Sequence, residues 1–483
     1  MVTATRTDFP ISGASQSWSK AVLHTAKGFS PTALPILSGS IPIGLRGSLY
    51  RNGPGRLERG KTHVGHWFDG DGAVLGVRFS DTGAIGVYRY VESEKFLKEE
   101  QAGRFIYSGY GMLPPGNLLN RLTKGLKNAA NTSVLAFDDR VLALWEGGHP
   151  HALDLATLET QGVDDLGGLP ELLPFSAHPK RDPITGEVYN FGVSFGKGVT
   201  LNLYCIDATG KLRRRDSHTL DGFPLIHDFV MAGQYLLFFV SPVRLNPLPL
   251  LARIKSFSES FEWKPEKGTQ VLVFDRQTLK LVSQGETDSW YQWHFGNACV
   301  DADGNAVVDV VRYADFNTNE YLRQVATGKT QTSARSTLWQ IRVNPLIGKV
   351  LEQQELLDRH CEFPVVKPIE VGQPWQHTYF SVHRRGADPV KEIFGAIGRF
   401  DQKTGDLVEA DCGENRYPVE PIYAPDAIDP NQGWIVTIVY DGNTNQSEVW
   451  VFDSDRLNDQ PVCRLALPEV IPIGFHGTWK PLV

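Results

Sequence analysis

The chain has 483 residues, 41% hydrophobic and 21% charged, with a formal net charge of −7. That balance suits a globular protein and excludes a basic nucleic-acid surface. Its five cysteines are scattered and never form a CxxC pair, which argues against a disulfide framework or a thiolate metal site. In chain order, the N-terminal MVTATRTDFPISGASQSW lacks the basic-then-apolar profile of a signal peptide, and no later run approaches the ~20 apolar residues of a membrane span. A cytoplasmic protein is expected.

Two early motifs, YRNGPG at 50–55 and GHWFDGDGAV at 65–74, read as turns. The second has two Asp between glycines but lacks the ligand count of an EF-hand. Then one pattern repeats: an apolar run, an acidic or polar turn, and another apolar run. The turns fall near Asp81, Asp154, Asp207, Asp275, Asn344, Asp401 and Asp453. Asp and Asn suit tight hairpin loops because their side chains accept hydrogen bonds from the turn backbone. Seven hairpins, roughly 50 to 75 residues apart, predict an all-β seven-bladed propeller rather than a large sandwich. The whole chain, 1–483, then forms a single propeller domain. Cap insertions near 105–130 and 242–260 would make a helical and loop cap over the top face, carrying the entrance to the active site.

Four histidines stand alone among apolar, aromatic or glycine residues: His178 in SAHPK, His227 in LIHDFV, His294 in YQWHFG and His476 in GFHGTW. Glu146 in ALWEGG, Glu362 in CEFPVV and Glu420 in VEPIYAP have similar settings. A buried carboxylate is costly unless paired, and a ligand imidazole usually donates its second nitrogen to a carboxylate. The four histidines fall in four different repeat intervals, so inner strands could bring all four to the propeller axis around a metal. The other nine histidines read as surface or loop residues, with His360 set apart by its neighbours Cys361 and Glu362. There is no phosphate loop, GxSxG elbow or HExxH motif.

These segments resemble the carotenoid cleavage oxygenase family. GSLYRNGPG, HWFDGDGAV, NAANTSV, LALWEGG, SAHPK, IHDFV, WHFGNA, CEFPVV, EPIYAP and FHGTW match it in order, most like the cyanobacterial apocarotenoid oxygenases. The resemblance implies a seven-bladed propeller with one Fe(II) on its axis, bound by His178, His227, His294 and His476, and O₂ as co-substrate. It implies that Glu146, Glu362 and Glu420 orient His227, His294 and His476 in that order, leaving His178 without a glutamate. Thr132, in ANTSV, matches a residue whose methyl group crowds an open iron position. Many relatives carry a second histidine where Phe295 stands here. The expected reaction adds O₂ across a C=C bond of an apocarotenoid, at 15,15′, giving retinal and a second aldehyde. A stilbene-cleaving dioxygenase is the alternative enzyme, and a non-catalytic binding scaffold the alternative of another class.

Phe68, Trp145, Trp293, Phe295 and Phe363 would wall a tunnel for the apolar polyene. Leu118, Leu119, Leu122 and Leu126 interleave with Arg121, Lys124 and Lys127. Leu245, Leu248, Leu250 and Leu251 lie beside Arg244, Arg253 and Lys255. Such basic amphipathic segments can rest in a membrane interface, so peripheral membrane association is expected. No nucleic-acid or obligate protein partner is expected.

Overall fold

Every one of the seven turns closes an antiparallel hairpin, and each hairpin forms the third and fourth strands of a blade. The turn side chains show why Asp was placed there. Asp154 Oδ1 accepts from the N–H groups of Ala156 and Thr157, both at 2.8 Å. Asp207 Oδ1 does the same for Thr209 at 2.9 Å and Lys211 at 3.1 Å. The result, in a computed structural model that describes residues 16–196 and 198–482, is a seven-bladed β-propeller. The stretch read for a signal profile lies mostly outside the described residues.

The innermost strands are Gly477–Pro481, Ser133–Ala136, Lys180–Arg181, Val230–Ala232, Phe295–Val300, Cys361–Val365 and Ile422–Pro425, taken around the ring from the first blade to the seventh. The ring is closed by chain exchange. The C-terminal strand Gly477–Pro481 pairs with Gly47–Arg56 and completes the first blade from the inside. Ile36–Gly39, from the N-terminal side, pairs with Cys463–Ala466 on the outer edge of the last blade. Phe29–Ala33 covers the outer edge of the first blade. Closure of this kind leaves only short, protected edges.

Burial follows radial position. Tyr235–Val240 and Gly433–Asp441 are buried at every position because blades press on both their faces. The outer strand Leu212–Leu220 alternates partly buried and exposed residues, as a strand covered on one face should.

YRNGPG is not a turn: it lies inside the strand Gly47–Arg56. Its glycine at 53 allows close backbone approach, since a Cβ there would stand 2.5 Å from Gly474 Cα. Asn52 is buried, and its Nδ2 donates to the carbonyls of Ala130 and Ser133, both at 2.9 Å, joining the first two blades near the axis.

Both expected insertions lie over the same end of the ring. The first contains the short helix Leu118–Thr123, and the second the strand Val243–Leu245 followed by the helix Pro247–Leu251. A third helix, Asn317–Val325, had no counterpart in the sequence reading. Lys127 does not belong to the exposed basic face of the first insertion. It is buried, with Nζ 2.5 Å from Asp71 and 2.8 Å from Glu99. No described helix is long and apolar enough to cross a membrane.

Asn52→Ala should destabilise the propeller by about 3 kcal/mol, because two buried carbonyls lose their donor. Urea unfolding followed by tryptophan fluorescence measures this; a loss below about 0.5 kcal/mol would show that the Asn52 bridge contributes little.

Candidate metal centre

Each blade contributes one of the clustered side chains from at or within three residues of the start of its innermost strand. Around the ring these are His476, Thr132, His178, His227, His294, Glu362 and Glu420. Because each inner strand begins at the same end of the propeller, residues up to 344 positions apart, Thr132 and His476, become neighbours: His476 N–H donates to Thr132 O at 3.2 Å.

Candidate ligand nitrogens of His178, His227, His294 and His476 all lie within 4.8 Å of one another. None of the four residues is more than 9% exposed. Nδ1 of His294 is 2.5 Å from Glu362 Oε2, and Nδ1 of His476 is 2.8 Å from Glu420 Oε1. Nδ1 of His227 is 3.2 Å from Glu146 Oε1, which also lies 4.0 Å from His178 Nε2. A carboxylate at Nδ1 holds the proton there and leaves the Nε2 lone pair for the axis.

The donor set fits a cation. His294 Nε2 is buried with no hydrogen-bond partner, and Nε2 of His178 lies 2.9 Å from Nε2 of His227. Lone pairs aimed at one point repel unless a proton or a cation stands between them. Burial, and then the neighbouring imidazoles, hold His178 and His294 far below the ordinary histidine range, so both are neutral. An all-imidazole donor set suits divalent transition metals.

The carboxylates are themselves anchored. Burial pushes Glu362 up to about 7, although the Phe363 N–H at 2.7 Å and the Tyr313 hydroxyl at 2.9 Å favour its charged form. Burial would raise Glu420 too, but His476, Arg51 and the Gly477 N–H at 2.7 Å outweigh it and hold it low. Arg51 is buried and donates to the carbonyl oxygens of Glu420 at 2.5 Å and Phe475 at 2.9 Å. Asp228 accepts from the Phe295 N–H at 3.0 Å and pairs with Lys180 at 2.8 Å, tying the His178, His227 and His294 segments together.

These supports went unnoticed in the sequence. Lys180 and Asp228 sit within two residues of His178 and His227, and that proximity could have flagged them. Arg51 and Tyr313 carry no local signal.

Above the centre lies a cavity of about 470 Å³. Phe68, Trp145, Trp293, Phe363 and Thr132 line it. Phe363 has φ of 57°, a rare value for a bulky residue, at a break in the strand register between Glu362 and Val365. That bend places its ring 5.3 Å from the His294 ring, nearly parallel to it.

Phe295 does not line the cavity. It follows His294 in a strand, so its side chain turns the opposite way, into the core beside Phe239 at 5.6 Å. Wall residues absent from the sequence reading include Tyr110, Leu172, Phe195, Phe257, Phe261 and Phe394. Except for Phe195, at the end of the strand Val188–Phe195, they come from insertions and loops, where no periodicity marks a direction.

The reading of the other nine histidines also needs correction. His66, His151, His360 and His383 are buried. Leu245 is buried and faces the cavity, so it is unavailable to a membrane.

A model of the retinal pigment epithelial membrane protein family matches residues 24–481. The apocarotenoid-15,15′-oxygenase of Synechocystis sp. is 33% identical over 457 residues, covering 92% of each chain. The resveratrol cleavage oxygenase 1 of Aspergillus fumigatus is 27% identical, covering 91% of each. The crystal structure of cobalt-substituted Synechocystis ACO superposes with a TM-score of 0.88 at 30% identity, over 96% of this chain and 98% of that one. The chain belongs to this family, that of the carotenoid cleavage oxygenases. It is an enzyme of the oxygenase class.

Glu362→Gln should weaken metal binding about 10- to 100-fold by removing the charge that holds the His294 Nδ1 proton. Metal content after dialysis against a graded chelator measures it. Wild-type retention would show that Glu362 does not orient a ligand.

Proposed function

We propose that the protein is an Fe(II)-dependent dioxygenase that splits a C=C bond of an apocarotenoid, at the 15,15′ position, giving retinal and a second aldehyde. The observation that carries this reading is the junction of four clustered imidazoles with an aromatic-walled cavity on the propeller axis. The similarity to an apocarotenoid-15,15′-oxygenase supports the choice of substrate.

His178, His227, His294 and His476 would hold the metal. Ferrous iron bound there supplies the electrons and the open position that let O₂ react with an electron-rich double bond. The chain's own work is positional. Glu146, Glu362 and Glu420 set the proton of three imidazoles on Nδ1. The Thr132 hydroxyl is turned to Asn131 Oδ1 at 3.2 Å, and its methyl group would crowd one side of the centre. Phe68, Trp145, Trp293 and Phe363 exclude water and align an extended apolar chain. No side chain need act as acid or base, since both atoms of O₂ end as the carbonyl oxygens of the two aldehydes.

The cap supports collection of substrate from a membrane. Leu119, Leu122, Leu248, Leu251 and Ile254 are between 58% and 74% exposed. Arg121, Lys124 and Arg253 stand among them and could meet anionic headgroups. Leu126 is exposed and also lines the cavity, which links this patch to the interior. Leu250 is half-buried, and the Leu118 side chain lies outside the described residues.

Incubation of iron-loaded protein with an apocarotenal and O₂ should yield retinal and a shorter dialdehyde by mass spectrometry, and His294→Ala should abolish both iron retention and products. Intact apocarotenal beside a cleaved hydroxystilbene would transfer the reading to stilbenes, the activity named for the Aspergillus relative. A further outcome concerns the patch: the wild type should float with anionic liposomes, and Leu119→Glu with Leu248→Glu should remove most of that binding. Equal flotation of wild type and variant would remove the membrane role.

A further inference from the structure

The sixth blade carries a row of polar side chains that the metal centre does not use. Its inner strand Cys361–Val365 pairs with His377–Val382, so that Cys361 faces Val382 and Glu362 faces Ser381. One residue further along, the His383 N–H donates to His360 O at 3.2 Å. Cys361 and Val382 turn into the blade core. Alternation therefore puts Glu362, Ser381, His360 and His383 together on the other face.

His360, Ser381 and His383 are 9%, 0% and 5% exposed, and the first two line the cavity. The two imidazoles stack with ring centroids 4.3 Å apart. Yet His360 Nδ1, Ser381 Oγ and both ring nitrogens of His383 have no hydrogen-bond partner. Buried polar atoms are nearly always paired, so four unpaired ones on three adjacent side chains call for a ligand. Phe394 stands against both rings, and Val325, Ala334 and Ile393 also line the cavity.

Position gives the row its meaning. From His294 the rings of Phe363, Phe394 and His360 follow in steps of 5.3, 6.4 and 5.4 Å. Elsewhere the cavity rim is open, with Leu172 88% and Phe195 54% exposed. The cavity thus runs from an exposed apolar rim, past His227, His294 and His476, to a buried end holding polar groups. Arg359, next in the chain, is engaged by Glu409 at 2.8 Å and by His383 O at 2.7 Å. Only Nη1 of Arg359 is left unpaired, and Glu409 already balances its charge, so the site suits an uncharged oxygen better than a carboxylate.

We propose that His360 and Ser381 form a subsite for the uncharged oxygen-bearing end of the substrate, an aldehyde, alcohol or phenol, with His383 supporting the His360 ring. The subsite rests on the cleavage reaction proposed above and refines it. Pinning one end of a rigid polyene fixes which double bond lies beside the four histidines, so the row is a determinant of cleavage position.

The test uses iron-loaded protein, quenching of its tryptophan fluorescence, and two ligands: an apocarotenol and the matched hydrocarbon lacking the hydroxyl. The wild type should bind the alcohol about five- to tenfold more tightly, the worth of one neutral hydrogen bond. His360→Phe and Ser381→Ala should each bring that ratio toward one and broaden the set of cleavage products. Ser381→Ala removes a single oxygen and decides the matter if His360→Phe fails to fold. Equal binding of the two ligands by the wild type, or an unchanged ratio in the folded variants, overturns the subsite. Preferential binding without cleavage would refute the reaction and keep the subsite; no binding of either ligand would refute both.

Discussion

Four imidazoles packed within a few ångströms on a dry axis cannot all be charged, and they cannot all turn hydrogen-bonding edges toward one another. The structure answers with a carboxylate behind three of them, hydrogen-bonded to Nδ1 of His294 and His476 and 3.2 Å from Nδ1 of His227, which favours a proton on Nδ1 and a lone pair on Nε2. Everything else at the centre follows from stabilising those carboxylates where water cannot. Tyr313 and the Phe363 N–H serve Glu362, while Arg51 and the Gly477 N–H serve Glu420. Glu146 is about a third exposed, and the oxygen it turns to His227 is buried with no hydrogen-bond partner. A shell of this kind keeps the imidazole orientations from depending on whether a metal is bound.

The propeller is what makes such a shell possible. One residue at or near the start of each inner strand joins the axial cluster, so a seven-blade ring delivers seven side chains to one small volume. Strand exchange at the ring closure bears directly on this. His476 belongs to the strand that completes the first blade, and Asn52 and Arg51 fasten that strand from the neighbouring one. Loosening the closure would therefore displace a ligand as well as a blade.

Much of the fold was legible because its signals are local. An Asp that caps its own turn is recognisable without knowing which blade it serves, and apolar runs on both sides mark the strands. Six of the seven axial residues were legible for a related reason: a polar side chain in an apolar strand start is costly, and its cost shows in its neighbours; Thr132 came from the family resemblance alone. The errors share the opposite property. Phe295 stands beside His294 in the sequence, yet adjacent strand residues face opposite ways and its ring packs on Phe239. YRNGPG looked like a turn because glycine serves close approach as well as positive φ. His360 and His383 looked peripheral because their stacking joins two strands, and their burial depends on Phe394 from a further loop.

The amino-acid sequence by itself determined the repeat, the hairpins and the identity of the residues able to bind a metal, because propensity, turn chemistry and the cost of burying charge act over a few neighbouring residues. Only the tertiary structure decided which nitrogen faces the axis, how closely each carboxylate approaches its imidazole, and where the cavity ends in unpaired polar groups. Those features are set by distances between blades, and residues brought together by ring closure leave no trace in one another's local sequence.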